Sequence, residues 1–293
     1  MFKNLSTEAL GISGQPNEFI ELALSNGFKG IDLDLVAFEE QVKLTSLAHA
    51  RRLIDSARLK IGSFRLPLSV GAEDAEYRPA LEKVARLAEL ARALGCTRAT
   101  TVIEPASDRR AYHDNFEFHR RRLAEIGGVL KPFGIRLGVE FLAPHHLRSD
   151  AAFSFIQTFD AALMLVRNTG ADNVGLAFDA WHWRLGGGSL DQLRSLSGDK
   201  VVAVYLADAA AGTTAETAQD DSRRLPGETG VIDAAGILSV LAGIRYDGPV
   251  TPRPGKIPGA SRDKAVKQAG AALDGVWKAA GLNVAGKLAT AAK

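Results

Sequence analysis

Val201-Val-Ala-Val-Tyr-Leu206 is apolar at every position but one aromatic hydroxyl. A run with no polar face suits a strand covered on both sides, as in a parallel sheet flanked by helices. Comparable short runs recur at Leu10–Ser13, Gly30–Leu35, Ile61–Leu68, Thr97–Glu104, Ile135–Leu142, Val174–Asp179, Val201–Asp208 and Pro249–Arg253. Between most of them lies a segment of helical periodicity closed by glycine, the rhythm of repeated βα units. The stretch Arg78 to Leu94 puts Leu81, Val84, Ala85, Ala88 and Ala91 on one face, and Asn115 to Phe133 is likewise amphipathic. Pro16 stands where a first-turn proline fits, and Gly27, Gly95, Gly134 and Gly170 stand where a helix end needs a left-handed residue. Eight such units predict an α/β chain folded as a single (β/α)8 TIM barrel over residues 1–281. The alternative, an open doubly wound sheet, lacks its Gly-x-Gly-x-x-Gly turn after the first strand.

Composition is that of an ordinary globular chain: 293 residues, 46% hydrophobic and 24% charged, which excludes fibrous and disordered classes. A net charge of +2 from 36 basic and 34 acidic residues gives no field to hold nucleic acid or anionic lipid, so a small-molecule partner is expected. Cys96 is the single cysteine, too few for a disulfide within the chain or a thiolate metal site, and fits a reducing compartment. Met1 to Gly14 lacks the basic start and apolar run of a signal peptide, and no stretch approaches the roughly 18 apolar residues of a membrane span. These features predict a cytoplasmic protein with no membrane or nucleic-acid partner. Two segments break the rhythm. The polar stretch Ala209 to Gly230 is long for a compact connection, and a lid over a site is favoured over local disorder. Residues 282–293 are rich in Ala, Gly and Lys with no apolar face, and are expected to be frayed.

In a barrel of this kind the active site is built from side chains at the carboxyl ends of the strands. The runs above place Asp34, Arg65, Glu104, Glu140, Asp179, His182, Tyr205, Asp208 and Arg253 there. Gly138-Val-Glu-Phe141, Gly175-Leu-Ala-Phe-Asp-Ala-Trp-His182 and Tyr246-Asp-Gly-Pro-Val-Thr-Pro-Arg-Pro254, in that order on successive strands, resemble the xylose isomerase-like TIM barrels of the sugar phosphate isomerase/epimerase superfamily. The resemblance covers about residues 8 to 280. It implies that Glu140 and Asp179 are ligands of a divalent metal and that His182 contacts substrate.

Two departures qualify that implication. Tyr205 stands where the family carries a metal-binding His, and Arg253 stands where it carries a closing Glu. A Glu-Asp pair alone is a poor site for a divalent ion. Three carboxylates around a dication and two around one guanidinium leave the same net charge, so Arg253 is expected to stand in for the metal. The expected cofactor is therefore none. The alternative retains Mn, Zn, Mg or Co on Glu140 and Asp179, with water or another mouth residue completing the shell.

The expected protein is an isomerase-like or lyase-like enzyme acting on a sugar, polyol or keto compound by proton transfer. Glu140 is the expected base, His182 orients or transfers a proton, and Arg253 stabilises a developing enediolate oxygen. Arg65, Asp179, Trp181, Tyr205 and Asp208 are the expected substrate contacts. Two other readings stand beside it: a divalent-metal-dependent sugar phosphate isomerase or epimerase, and a non-catalytic sugar-binding barrel. The resemblance also allows a homodimer. His145 and His146 follow Pro144 and read as exposed loop residues. His119-Arg-Arg-Arg122 reads as a solvated outer helix face rather than a nucleic-acid patch. Arg223 and Arg224 precede a Pro-Gly pair in the long loop, and either close on an anion or remain solvated.

Overall fold

A computed structural model describes residues 1–257 and 259–289. Parallel strands curl into a barrel with helices outside: β1 (Phe2–Leu5), β2 (Gly30–Ile31), β3 in two pieces (Lys60–Ile61 and Phe64–Arg65), β4 (Arg98–Ile103), β5 (Arg136–Phe141), β6 (Val174–Asp179), β7 (Val201–Leu206) and β8 (Pro249–Pro252). The two pieces of β3 close the ring. Lys60–Ile61 pairs with β2, while Phe64–Arg65 pairs with β4. The break between them lies at Gly62-Ser63, where a Cβ on Gly62 would come within 2.4 Å of the Asn4 side chain and 2.5 Å of Asp32. Glycine there lets two inward polar side chains meet beneath the mouth.

The helices stop where their sequence says they should. Gly27, Gly95, Gly134 and Gly170 all have φ between +68° and +78°, each just before a strand. Pro16 occupies the first turn of the helix Pro16–Ser25. The helix Asp74–Ala93 buries Leu81, Val84, Leu87, Ala88 and Ala91 against the barrel, and Tyr112–Leu130 buries Leu123, Ile126 and Leu130. One apolar core lies between helices and strands, and Ala177, Ala203 and Tyr205 form a small separate cluster. No helix among the described residues is long and apolar enough to cross a membrane.

Two expectations are corrected. The first strand is Phe2–Leu5, not Leu10–Ser13. It was hidden because its four residues include Lys3 and Asn4, and Asn4 faces inward to bond Asp32 and Thr251. Leu10–Ser13 instead lies in a turn with Gly11 at φ +61°, a backbone no extended strand adopts. Second, the segment His119–Arg122 is not a solvated face. His119 and Arg122 are buried, and Arg122 donates to the carbonyls of Val70 and Ala72 and to Asp74 while its guanidinium lies 4.0 Å from the Tyr77 ring centre. Aromatic and carbonyl partners supplied by the neighbouring β3-to-helix connection make that burial possible. At the other end of the chain, Trp277 Nε1 donates to the Asn283 carbonyl, and Leu282 bridges Leu288. Residues 290–293 of the expected tail lie outside the described residues.

Candidate active site

The carboxyl ends of β5 and β6 bring Glu140, Asp179 and His182 together, 3%, 2% and 1% exposed respectively. Asp179 ends its strand and caps the helix Ala180–Leu185: Oδ1 accepts from the backbone N–H groups of Trp181 and His182 at 2.9 and 3.1 Å. That cap fixes the carboxylate and leaves Oδ2 facing the site. Two guanidinium groups converge on it. Arg253, just past β8, donates through Nη1 to Glu140 Oε1 at 2.5 Å and to Asp179 Oδ2 at 3.0 Å. Arg223 donates to Asp179 Oδ2 at 2.7 Å and reaches His182 Nε2 at 2.9 Å, while its other edge holds Asp220.

Burial alone would raise the Asp179 pKa, but Arg223, His182 and Arg253 outweigh it and hold the carboxyl well below the usual range. Burial would likewise lower Arg253, yet Glu140 and Asp179 hold it above its ordinary value. His182 is pushed down by burial, with Arg223 acting in the same direction against Asp179 and Glu140. The imidazole is therefore neutral near pH 7. Arg223 can only donate, so Nε2 accepts and the proton sits on Nδ1, a tautomer assigned from partner chemistry. The Ala143 N–H also points at Nδ1, at 3.4 Å, and competes with the closer Arg223 for the single acceptor of a neutral ring. His182 cannot take a proton on Nε2 while Arg223 stays in place.

The family resemblance implies a divalent ion here, and Glu140, Asp179 and His182 do offer three ligand atoms within 4.8 Å of one another. The donors are nevertheless spoken for. Arg253 occupies Glu140 and Asp179, and Arg223 occupies Asp179 and His182. The arrangement does not fit a resident dication, because two fixed positive groups point at the same lone pairs that an ion would need.

The remaining predicted residues divide. Tyr205 lies under Arg253, ring centre 3.8 Å from the guanidinium carbon, and its phenol is pushed far up by burial. Trp181 is fully buried beneath Arg223 at 4.4 Å. Asp208 is also fully buried, and takes four backbone N–H donors from Ala209, Thr229, Gly230 and Ile232, so it ties the two ends of the long loop to β7. Arg65 is exposed and paired with Glu8 at 2.6 Å. Asp34 caps the helix Leu35–Leu44, and His145 and His146 lie exposed in a short turn.

Two residues stand out beyond the strand-end reading. Arg223 is the residue the long loop inserts into the site; its Pro-Gly context marked the loop, but nothing in sequence distinguishes a buried from a solvated arginine there. Asp32 was passed over for Asp34, although alternation along Gly30-Ile-Asp-Leu-Asp supplies both. The cue that separates them is position: Asp34 immediately precedes a helix and serves its N-terminus. Asp32 lines an open cavity of about 550 Å³ at the mouth, with Ser63, Arg65, Thr100, Tyr205 and Arg253. That volume suits a sugar-sized ligand.

A mouth built from strand-end carboxylates on an eight-fold parallel barrel defines a class of small-molecule α/β barrels, and the chain belongs to the xylose isomerase-like TIM barrel family, whose model matches residues 20–274. It is 24% identical over 237 residues to the inosose isomerase of Bacillus velezensis, covering 78% of this chain and 79% of that one. A xylose isomerase domain protein from Alicyclobacillus acidocaldarius superposes with a TM-score of 0.85 at 24% identity, covering 96% of this chain and 99% of that one. The IOLI protein, solved with a zinc atom, superposes with a TM-score of 0.80 at 18% identity over 96% of this chain and 98% of its own. That protein carries its metal in this same fold.

Proposed function

We propose that the chain is a sugar isomerase-like or epimerase-like enzyme that moves a proton next to a carbonyl in a small polyhydroxy keto compound, without a resident divalent metal. The observation that carries this reading is the Arg253 guanidinium bridging Glu140 and Asp179 at the mouth. A fixed, desolvated cation aimed where charge develops can stabilise an enediolate oxygen, the task a metal performs in related barrels. Glu140 and Asp179 anchor that cation, and His182, neutral and capped by Arg223, orients the wall beside it. In the same reading Arg65 and Tyr205 line the place where the substrate lies. A lyase step, in which the same proton loss expels water, uses the same groups.

Elemental analysis after incubation with manganese, zinc, magnesium and cobalt, followed by desalting, tests the metal-free part. Less than about a tenth of an ion per chain is expected; about one ion per chain would return the protein to metal-dependent chemistry. The second reading, a non-catalytic sugar-binding barrel, is favoured by the full pairing of Glu140 and Asp179 with arginines. It predicts that inosose raises the melting temperature while never being turned over.

A further inference from the structure

We infer that Asp32 is the proton-transferring carboxyl of this barrel, and that substrate sits between Asp32 and Arg253 on the β1–β3 side of the mouth. This rests on the proposed isomerase-like function and assigns its base. The family's carboxylate pair stands on the opposite wall, at β5 and β6, and neither Glu140 nor Asp179 lines the open cavity. Three acidic side chains do: Glu8, Asp32 and Asp34. Glu8 is ion-paired with Arg65 and exposed, and Asp34 accepts the two N–H groups that begin its helix. Asp32 alone of the three is neither ion-paired nor spent on starting a helix.

Its setting is a built one. Oδ1 accepts from Asn4 Nδ2 at 2.9 Å, from the Ser63 backbone N–H at 2.8 Å and from the Ser63 hydroxyl at 3.1 Å. Asn4 is itself anchored to Thr251 at 3.0 Å on β8, and Gly62 has no Cβ that would displace the pair. With Oδ1 saturated and the carboxyl locked in orientation, Oδ2 is the oxygen left to exchange a proton. Across the cavity, Arg253 spends Nη1 on the two anchoring carboxylates, and among the described residues its Nε and Nη2 have no hydrogen-bond partner. The cavity therefore joins an oriented carboxyl to an unspent guanidinium edge, which is the geometry proton transfer next to a carbonyl requires.

The step balances without a co-reactant. Asp32 Oδ2 takes the proton from the carbon next to the carbonyl; the C–H electron pair becomes the C=C bond, and the carbonyl pair moves onto oxygen beside Arg253. The protonated carboxyl then returns the proton to the former carbonyl carbon, the C=C pair forming that C–H bond, while the hydroxyl oxygen on the deprotonated carbon forms the new C=O and its proton moves to the oxygen beside Arg253. Burial raises the Asp32 pKa to about 6 against the hydrogen bonds from Asn4, Ser63 and Ser6, close to where a base that must also act as acid works best. The charged and titratable groups around it are Glu8, Asp34, Arg65, Tyr205 and Arg253 at the cavity and the buried Cys96 thiol behind it.

The test is deuterium wash-in from D2O to inosose, followed by proton NMR, with melting temperature and far-UV circular dichroism as folding controls. Asp32→Asn keeps the acceptor for all three donors and should exchange about 100-fold more slowly or worse, the usual scale of a lost general base. Its inosose-induced melting shift should persist. Asp32→Glu should recover part of the rate. In the wild type, exchange should climb on a limb centred near pH 6. Exchange by Asp32→Asn within about threefold of wild type, or a wild-type profile with no limb near that pH, overturns the assignment while leaving the isomerase reading intact. A wild type inert towards inosose and unshifted by it overturns the reading as well.

Discussion

The two walls of the mouth treat their carboxylates in opposite ways. On the β5–β6 wall, Glu140 and Asp179 are buried and matched to guanidinium groups, which hold Asp179 ionised. On the β1–β3 wall, Asp32 meets amide and hydroxyl donors only, and burial pushes it towards the neutral form. Charge pairing and charge avoidance are the two ways to place an acid inside a protein, and they lead to different chemistry. A paired carboxylate is a good anchor and a poor base, since taking a proton would strand its partner. An acid held by neutral donors is free to change state. On the assignment proposed above, the carboxylates at the motif positions anchor a cation, and a carboxyl on the other wall moves the proton.

The largest effect should come from reversing that change. Tyr205→His with Arg253→Glu restores the ligand types the resemblance implies, but Arg223 would still occupy Asp179 and His182. Adding Arg223→Ser clears those lone pairs. The triple variant should bind about one manganese per chain by calorimetry and melt higher with the ion than without it. A triple variant that folds and binds none would show that strand eight and strand seven have been aligned wrongly to the family.

Next in size is Arg223→Ala alone. Removing one member of a buried ion pair leaves the other charge uncompensated, which costs about 3–5 kcal/mol in comparable sites. Arg253 still contacts Asp179 here, so about 3 kcal/mol is expected from urea denaturation. The His182 pKa should rise as well, because the nearby positive charge that helps burial depress it is gone. Losses below about 1 kcal/mol would place Arg223 outside the buried network.

Asp32→Asn should act in the other direction. Its folded pKa is raised from 3.8 to about 6, so the neutral acid contributes stability that is fully present below the unfolded value and is lost as pH rises through about 6. An asparagine never pays that charge-burial penalty. The variant should match wild type below about pH 4 and exceed it by about 1–2 kcal/mol at pH 8, the lower part of what the shift allows because the side chain borders the open cavity. For Asp179 the sign is reversed: its depressed pKa gives stability present above the unfolded value and lost only as pH falls far into acid. Stability curves of wild type and Asp32→Asn that run parallel across that range would remove the contrast between the walls.

How much of this was legible follows from which signals are local. Strands β5 to β7 carry largely apolar runs, and the helix stops carry glycines, so fold and order can be read directly. The first strand could not, because Asn4 serves a partner 247 residues away and breaks the local pattern. Glu140, Asp179, His182 and Arg253 lie at strand ends and could be grouped by position alone. Arg223 could not, since its burial depends on a loop folding back over β6. Nor could the difference between Asp32 and Asp34 be felt from polarity; it turns on which of them a helix begins after. In the same way, His119 and Arg122 look like surface residues until Tyr77, Phe118 and two carbonyls are brought against them.

The smallest effect sharpens the comparison most cleanly. Arg65–Glu8 and Arg223–Asp179 are both arginine–carboxylate pairs at almost the same distance, 2.6 and 2.7 Å. The first has side chains 52% and 58% exposed and the second 6% and 1%. Water screens the first pair and competes for its donors, so Arg65→Ala should cost about 0.5 kcal/mol or less, and less still in high salt. The two arginines thus set an exposed pair against a buried one at nearly the same N–O distance, the buried one also reaching His182 and Asp220. Because Arg65 also lines the cavity, its loss should still weaken binding of the ligand proposed for that cavity, read as a smaller melting shift at a fixed ligand concentration. A stability loss as large as that of Arg223→Ala would mean that the β1–β3 wall is closed in solution, and the division of labour between the walls would fall with it.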